Sequence, residues 1–140
     1  MSHKCRSILI HCMDFRLIDK TREWMYNNKL IGDCDVVSVA GAGKEIADNA
    51  NLGRELLLKQ IATACSLHCA NRIILLHHSD CGAYKNSYSF STADEEKEKQ
   101  SHDMTEASRI IKERFSSVEI LKVWAQMKDA EGRNVEFVEL

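Results

Sequence analysis

Short apolar segments rich in β-branched residues alternate along this chain with longer stretches of helical period, and that alternation constrains the fold more than any other feature. The apolar segments are residues 6–11, 35–39, 72–77 and 119–124, with a fifth at 134–138. Between the first two, Leu17, Thr21, Trp24, Met25 and Asn28 share one helical face within 17–30. Between the second and third, Ile46, Ala50, Gly53, Leu57, Ile61, Ala64 and His68 step by three or four, as an amphipathic helix does. Asn51 is a candidate cap for that helix. A third helical stretch ends with Met104, Ala107, Ile111 and Phe115 in phase, and Asp103 with Glu106 reads as a capping box at its start. The chain has no proline, so helix ends have to be read from glycines and caps.

The order β-α-β-α-β-α-β predicts an α/β domain with a mainly parallel sheet and helices on both faces. Runs such as Ile73-Ile74-Leu75-Leu76 suit strands covered on both sides. Too few residues separate the last two strands for a crossover helix, and Glu131-Gly132 is a turn signal, so the fifth strand is expected as an antiparallel edge. Right-handed crossovers then favour the order 2-1-3-4 with that edge added. At 140 residues, with 44% hydrophobic and 29% charged side chains, one domain over residues 1–140 can bury its own core.

A net charge of −2 is too balanced for electrostatics alone to bring in nucleic acid or an anionic membrane. No apolar run approaches the ~20 residues of a membrane span, and the start of the chain offers no signal-peptide core. The expectation is a cytoplasmic protein in which the six cysteines are free thiols or metal ligands. Residues 94–100 read as a solvated helical face or loop.

In the order 2-1-3-4, strands 1 and 3 are neighbours whose chains leave in opposite directions, and ligands bind beyond their carboxyl ends. After strand 1 comes His11-Cys12-Met13-Asp14-Phe15-Arg16; after strand 3 comes His77-His78-Ser79-Asp80-Cys81-Gly82. Cys12, His78 and Cys81 are thus brought together. Two thiolates and an imidazole suit zinc, and three protein ligands leave one position open, the pattern of a catalytic site.

Cys12-x-Asp14-x-Arg16, then Ala40-Gly41-Ala42, then His78-x-x-Cys81-Gly82 resembles the β-class carbonic anhydrases. The resemblance implies that Cys12, His78 and Cys81 hold Zn²⁺ and that Asp14 and Arg16 form a catalytic dyad beside the fourth position. The implied reaction is attack of zinc-bound hydroxide on carbon dioxide to give bicarbonate, in a homodimer or higher homo-oligomer. Asp14, if released by Arg16, could instead become the fourth zinc ligand. Competing readings are a related zinc hydrolase acting on carbonyl sulfide or carbon disulfide, and a non-catalytic zinc domain closed by Asp14.

The sequence also departs from that family. Eleven residues precede Cys12, where family members usually carry helices that embrace a partner, and none of Gln60, Gln100 and Gln126 stands where a glutamine is commonly supplied. Ser38-Val39 replaces a frequent Arg-Asn pair. Gly41-Ala42-Gly43-Lys44 fails as a phosphate loop, because Ser38 and Glu45 occupy the positions that need Gly and Ser/Thr. Cys65, His68 and Cys69 lie on one helical turn and could converge on a second metal, but read as core-filling, while Cys5 and Cys34 show no ligand spacing and read as structural. His77 is expected on the sheet face opposite His78, buried and hydrogen-bonded. His3, His11, His77 and His102 are nominal proton carriers, and Tyr84 and Tyr88 either line the cleft or pack on the sheet.

Overall fold

A computed structural model describes residues 3–48 and 52–140. In chain order the elements are β1 (Ser7–His11), a 3₁₀ turn (Phe15–Leu17), α1 (Ile18–Asn27), β2 (Cys34–Ser38), α2 (Lys44–Ala47), α3 (Gly53–Leu67), β3 (Arg72–His78), α4 (Gly82–Ser87), α5 (Ala93–Arg114), β4 (Glu119–Met127) and β5 (Val135–Glu139). The five strands form one sheet of order β2-β1-β3-β4-β5. All neighbours are parallel except β4 and β5, which pair antiparallel with Val123 opposite Glu139. The expected order and the antiparallel edge are both present.

Strand periodicity divides the core into two faces. Ile8, Ile10, Ile73, Leu75 and Trp124 pack with α3 and α5 residues such as Leu57, Ile61, Ala107 and Ile111. Leu9, Ile74, Leu76 and Val123 point the other way, onto Met25 of α1 and Leu30. Trp24 of α1 stacks on Phe137 of β5 with ring centroids 5.5 Å apart, so α1 reaches across to the edge strand.

Helix boundaries differ from the sequence reading in three places. The single helix expected through Ile46 and His68 is two, α2 and α3, because Asp48 takes an extended backbone that ends α2. The proposed cap Asn51 and the face residue Ala50 lie outside the described residues. The third helix starts at Ala93, not near Asp103: Thr92 is its N-cap and accepts the Glu95 N–H at 3.2 Å, while the Glu95 carboxylate receives the Ser91 N–H. Asp103 is buried instead, accepting the Tyr84 hydroxyl at 2.8 Å. Residues 94–100 are correspondingly not one solvated face, since Glu96 and Gln100 turn inward. The short helix α4 had no periodic signal.

The turn between β4 and β5 is built around Asp129. Its carboxylate accepts the backbone N–H groups of Arg133 (2.9 Å), Asn134 (2.8 Å) and Glu131 (3.1 Å), and these bonds, led by Arg133, hold its carboxyl below the usual range. The unfolded chain therefore protonates first as the pH falls. The stabilisation is complete above the unfolded value of about 4 and is lost as the pH drops through the lower native value. Asp129→Asn should be less stable than wild type at neutral pH and lose less stability on acidification. Superimposable acid-denaturation curves, followed by circular dichroism, would show that the turn does not need its carboxylate. Gly132, at φ +74°, lets this turn lie on α1's entrance, because a Cβ there would collide with the Arg16 carbonyl.

Candidate metal centre

Cys12 follows β1 directly, His78 is the last residue of β3, and Cys81 is the N-cap of α4. Because β1 and β3 are paired, with His11 beside Leu76, their ends bring the three side chains together. The Cys12 and Cys81 sulfurs and a His78 ring nitrogen lie within 4.8 Å of one another, and all three residues are buried. His78 Nδ1 donates to the Ser79 carbonyl at 2.7 Å, which fixes the tautomer and leaves Nε2 with a lone pair. That Nε2 is buried without a hydrogen-bond partner, the one such side-chain atom among the described residues. An unmet buried acceptor costs about 1–3 kcal/mol, and a cation between it and the two sulfurs would satisfy it.

The electrostatics favour thiolate. The neighbouring Cys81 thiol, and then the His78 ring, hold Cys12 well below the ordinary thiol range despite burial. The Cys12 sulfur beside it pushes the Cys81 thiol up, so a metal binding both sulfurs would displace a proton from Cys81. Two thiolates and one neutral imidazole match the donor set of zinc.

Asp14 stands beside this group, with Oδ2 3.9 Å from His78 Nε2. It is not one of the mutually close ligand atoms. Arg16 takes both its oxygens: Nε lies 3.0 Å from Oδ1, Nη2 lies 2.7 Å from Oδ2, and the Arg16 backbone N–H adds a bond to Oδ1. These contacts hold the Asp14 carboxyl below the usual range. The remaining Arg16 donors reach the Asp80 carboxylate (2.9 Å), the Asp80 carbonyl (3.0 Å) and the Ala130 carbonyl (3.1 Å). The arginine thus ties the 3₁₀ turn after β1 to the β3–α4 loop and to the β4–β5 turn.

Behind the ligands runs a buried polar relay. His77 Nε2 accepts the Gly43 N–H at 3.0 Å, so its Nδ1 carries the proton and donates to Gln100 Oε1 at 3.0 Å. Burial pushes His77 down to about 4. With both nitrogens engaged, it has no free atom with which to carry a proton outward. A Cβ at Gly43 would sit 2.9 Å from His77 Nε2, which explains a glycine there. Gln100 Nε2 donates to the His78 carbonyl (2.9 Å) and to Glu96 (3.1 Å). Glu96 in turn accepts the backbone N–H groups of Asp80 (3.0 Å) and Cys81 (2.9 Å). One helix of α5 therefore holds the loop that carries Cys81. Glu96→Ala would leave buried donors unmet and should cost about 2–4 kcal/mol in urea unfolding. A loss below 0.5 kcal/mol would mean that solvent already serves those amides.

A model of the family described as "Putative carbonic anhydrase" matches residues 2–137. Among solved structures, a carbonic anhydrase from Streptococcus mutans superposes with a TM-score of 0.56 at 19% identity, covering 99% of this chain and 82% of that one. Two tetrameric β-carbonic anhydrases from Sordaria macrospora are represented by a match with TM-score 0.57 at 17% identity, with the same two coverages. This chain belongs to the putative carbonic anhydrase family and has the fold of the β-class enzymes. An uncharacterised protein of Rickettsia bellii is 33% identical over 135 residues, spanning 93% of this chain and 80% of its own length. Another, from Rickettsia conorii, is 31% identical over 134 residues, spanning 93% and 70%.

Within this family member the structure also settles the side residues. Tyr84 is fully buried against Cys12 and Cys81, so it packs and does not line an open cleft, while Tyr88 is partly exposed. Lys44, of the failed phosphate loop, is buried with its ammonium 5.9 Å from the Tyr84 ring centroid. Asp80, Glu96 and Gln100 were not recognised from the sequence as parts of the site. Glu96, Gln100, Asp103, Ala107 and Ile111 fall on one helical stripe, and continuing the apolar phase backwards would have found the polar ones.

Proposed function

We propose that this chain hydrates carbon dioxide reversibly to bicarbonate and a proton, with zinc held by Cys12, His78 and Cys81. The observation that carries this reading is the bare, buried Nε2 of His78 facing two thiols, with an arginine-clamped carboxylate 3.9 Å away. Zinc held there would supply the Lewis acidity that makes water a nucleophile near neutral pH. Asp14 accepts the hydrogen bond of the attacking water and turns its lone pair toward the carbon of CO₂. Arg16 keeps Asp14 ionised and correctly aimed, which is a positioning role. Arg16 holds Asp14 outside the mutually close Cys12–His78–Cys81 group, which favours Asp14 as a partner of water over Asp14 as a ligand.

Met13 and Phe15, on either side of Asp14, are 62% and 83% exposed. We infer that a homo-oligomer covers them, and sedimentation as a monomer at micromolar concentration would contradict this. Free thiols at all six cysteines fit a cytoplasmic location.

The test is stopped-flow CO₂ hydration by the zinc-loaded protein from about pH 6.5 to 9. Turnover that rises with pH is expected. No turnover at any pH, with one zinc per Cys12 centre verified, would overturn the reading. Faster turnover of carbonyl sulfide or carbon disulfide in parallel assays would transfer it to the hydrolase alternative.

A further inference from the structure

The fold assembles a second set of ligand-type side chains at the opposite end of the sheet. Cys5 lies just before β1, Asp35 is the second residue of β2, and His68 is the C-cap of α3. Parallel pairing sets Ser7 beside Cys34 and Ile8 beside Asp35, which brings Asp35 to the entrance of β1. The Cys5 N–H donates to the His68 carbonyl at 2.9 Å and pins the start of the chain to the end of α3. As a result the Cys5 sulfur, an Asp35 carboxylate oxygen and a His68 ring nitrogen lie within 4.8 Å of one another, each residue half-buried.

His68 Nδ1 and Asp35 Oδ2 are 2.7 Å apart, so the carboxylate already orients the ring. The group opens onto a cavity of about 280 Å³ that His3, Lys4, Gly32 and Cys34 also line. The helical-turn trio of Cys65, His68 and Cys69 does not form a site. Cys65 packs against the core and Cys69 is exposed in a left-handed conformation, so His68 works with residues distant in sequence.

We propose that Cys5, Asp35 and His68 form a second binding site for a borderline divalent cation of the zinc class. One thiolate and one carboxylate neutralise a dication, and sulfur, oxygen and nitrogen donors are all within zinc's range. On binding, the Cys5 S–H bond breaks, its proton passes to solvent, and a sulfur–metal bond forms. That thiol donates to the Ser7 carbonyl at 3.4 Å when no metal takes it. The fourth donor comes from the cavity, as water or His3. Six residues of largely extended chain lie between Cys5 and Cys12, a span of roughly 20 Å, so the two sites share no ligand. The bound ion clips the segment before β1 to β2 and to α3.

The experiment is to load metal-free protein with zinc, remove the excess by desalting, and count zinc per chain by elemental analysis. Two equivalents are expected for wild type, and one each for C5S, D35N and H68A. C81S should retain the equivalent that C5S loses. The equivalent remaining in C5S and H68A also reports that those variants are folded. If the Cys12 centre alone fails to bind, wild type will hold one equivalent that C5S abolishes and C81S spares, and this proposal survives. A wild-type count that neither C5S nor H68A changes overturns it. Cobalt supplies a second readout: a thiolate-to-metal absorption band that C81S retains and C5S/C81S lacks is expected, and an unchanged band in the double variant overturns the assignment.

Discussion

Asp14→Asn is expected to lower CO₂ hydration by about 10²-fold or more while leaving the zinc count unchanged. The asparagine keeps the shape of the side chain but removes its charge. One of its two former acceptors becomes an NH₂ group, which then faces the Arg16 donors now 2.7–3.2 Å from the carboxylate. Donor against donor repels, so the side chain either rotates or leaves the guanidinium, and in both cases the attacking water loses its acceptor. Metal retention follows because Asp14 is outside the mutually close Cys12–His78–Cys81 group. Stopped-flow hydration together with elemental analysis decides it. Activity within threefold of wild type would remove Asp14 from the reaction, and zinc lost along with activity would make Asp14 a ligand.

Cys81→Ser should lose the zinc of the Cys12 centre and much of the stability that zinc brings. A hydroxyl is a poor replacement for thiolate toward a borderline ion, and the two remaining donors cannot complete a tetrahedral set. A ligand present at 1,000 times its Kd stabilises the fold by about 4 kcal/mol, and for a chain of this size each kcal/mol moves Tm by about 2–4 °C. The variant should therefore melt roughly 10 °C below zinc-loaded wild type. Chelation should erase most of that gap by bringing wild type down, because the loss is linked to metal and not to packing. A gap that persists undiminished after chelation would show instead that Cys81 contributes through its contact with Tyr84.

Much of this was legible from local pattern. Ile73-Ile74-Leu75-Leu76 suits a strand covered on both faces, and the structure divides it between the two core clusters. The short link carrying Glu131-Gly132 left no room for a crossover, and β5 is antiparallel. Cys12, His78 and Cys81 were found because each closes or follows a strand end that topology makes adjacent. The start of α5 departs from the sequence expectation because Asp103 and Glu106 satisfy a capping pattern by type alone. A buried tyrosine hydroxyl competes for Asp103, and Thr92 with Glu95 forms the actual cap. The charged run at 94–100 hides its inward residues in the same way, since only its periodicity relative to Ala107 and Ile111 separates inward Glu96 from its exposed neighbours.

The strand order, the edge strand, the Cys12–His78–Cys81 trio and the Asp14–Arg16 pair could all be read from the chain alone. Each of these depends on residue type and spacing within a few positions, combined with rules of chain connection that hold for any α/β sheet. What those groups do with their hydrogen bonds came from packing. It joined Arg16 to Asp80 and to the Ala130 carbonyl, made Glu96 and Gln100 the support of the Cys81 loop, and left His78 Nε2 bare. It also gathered Cys5, Asp35 and His68 from three elements. The physical reason is directional: a buried polar atom must find a partner at about 3 Å, and which atom meets it depends on how separate elements pack.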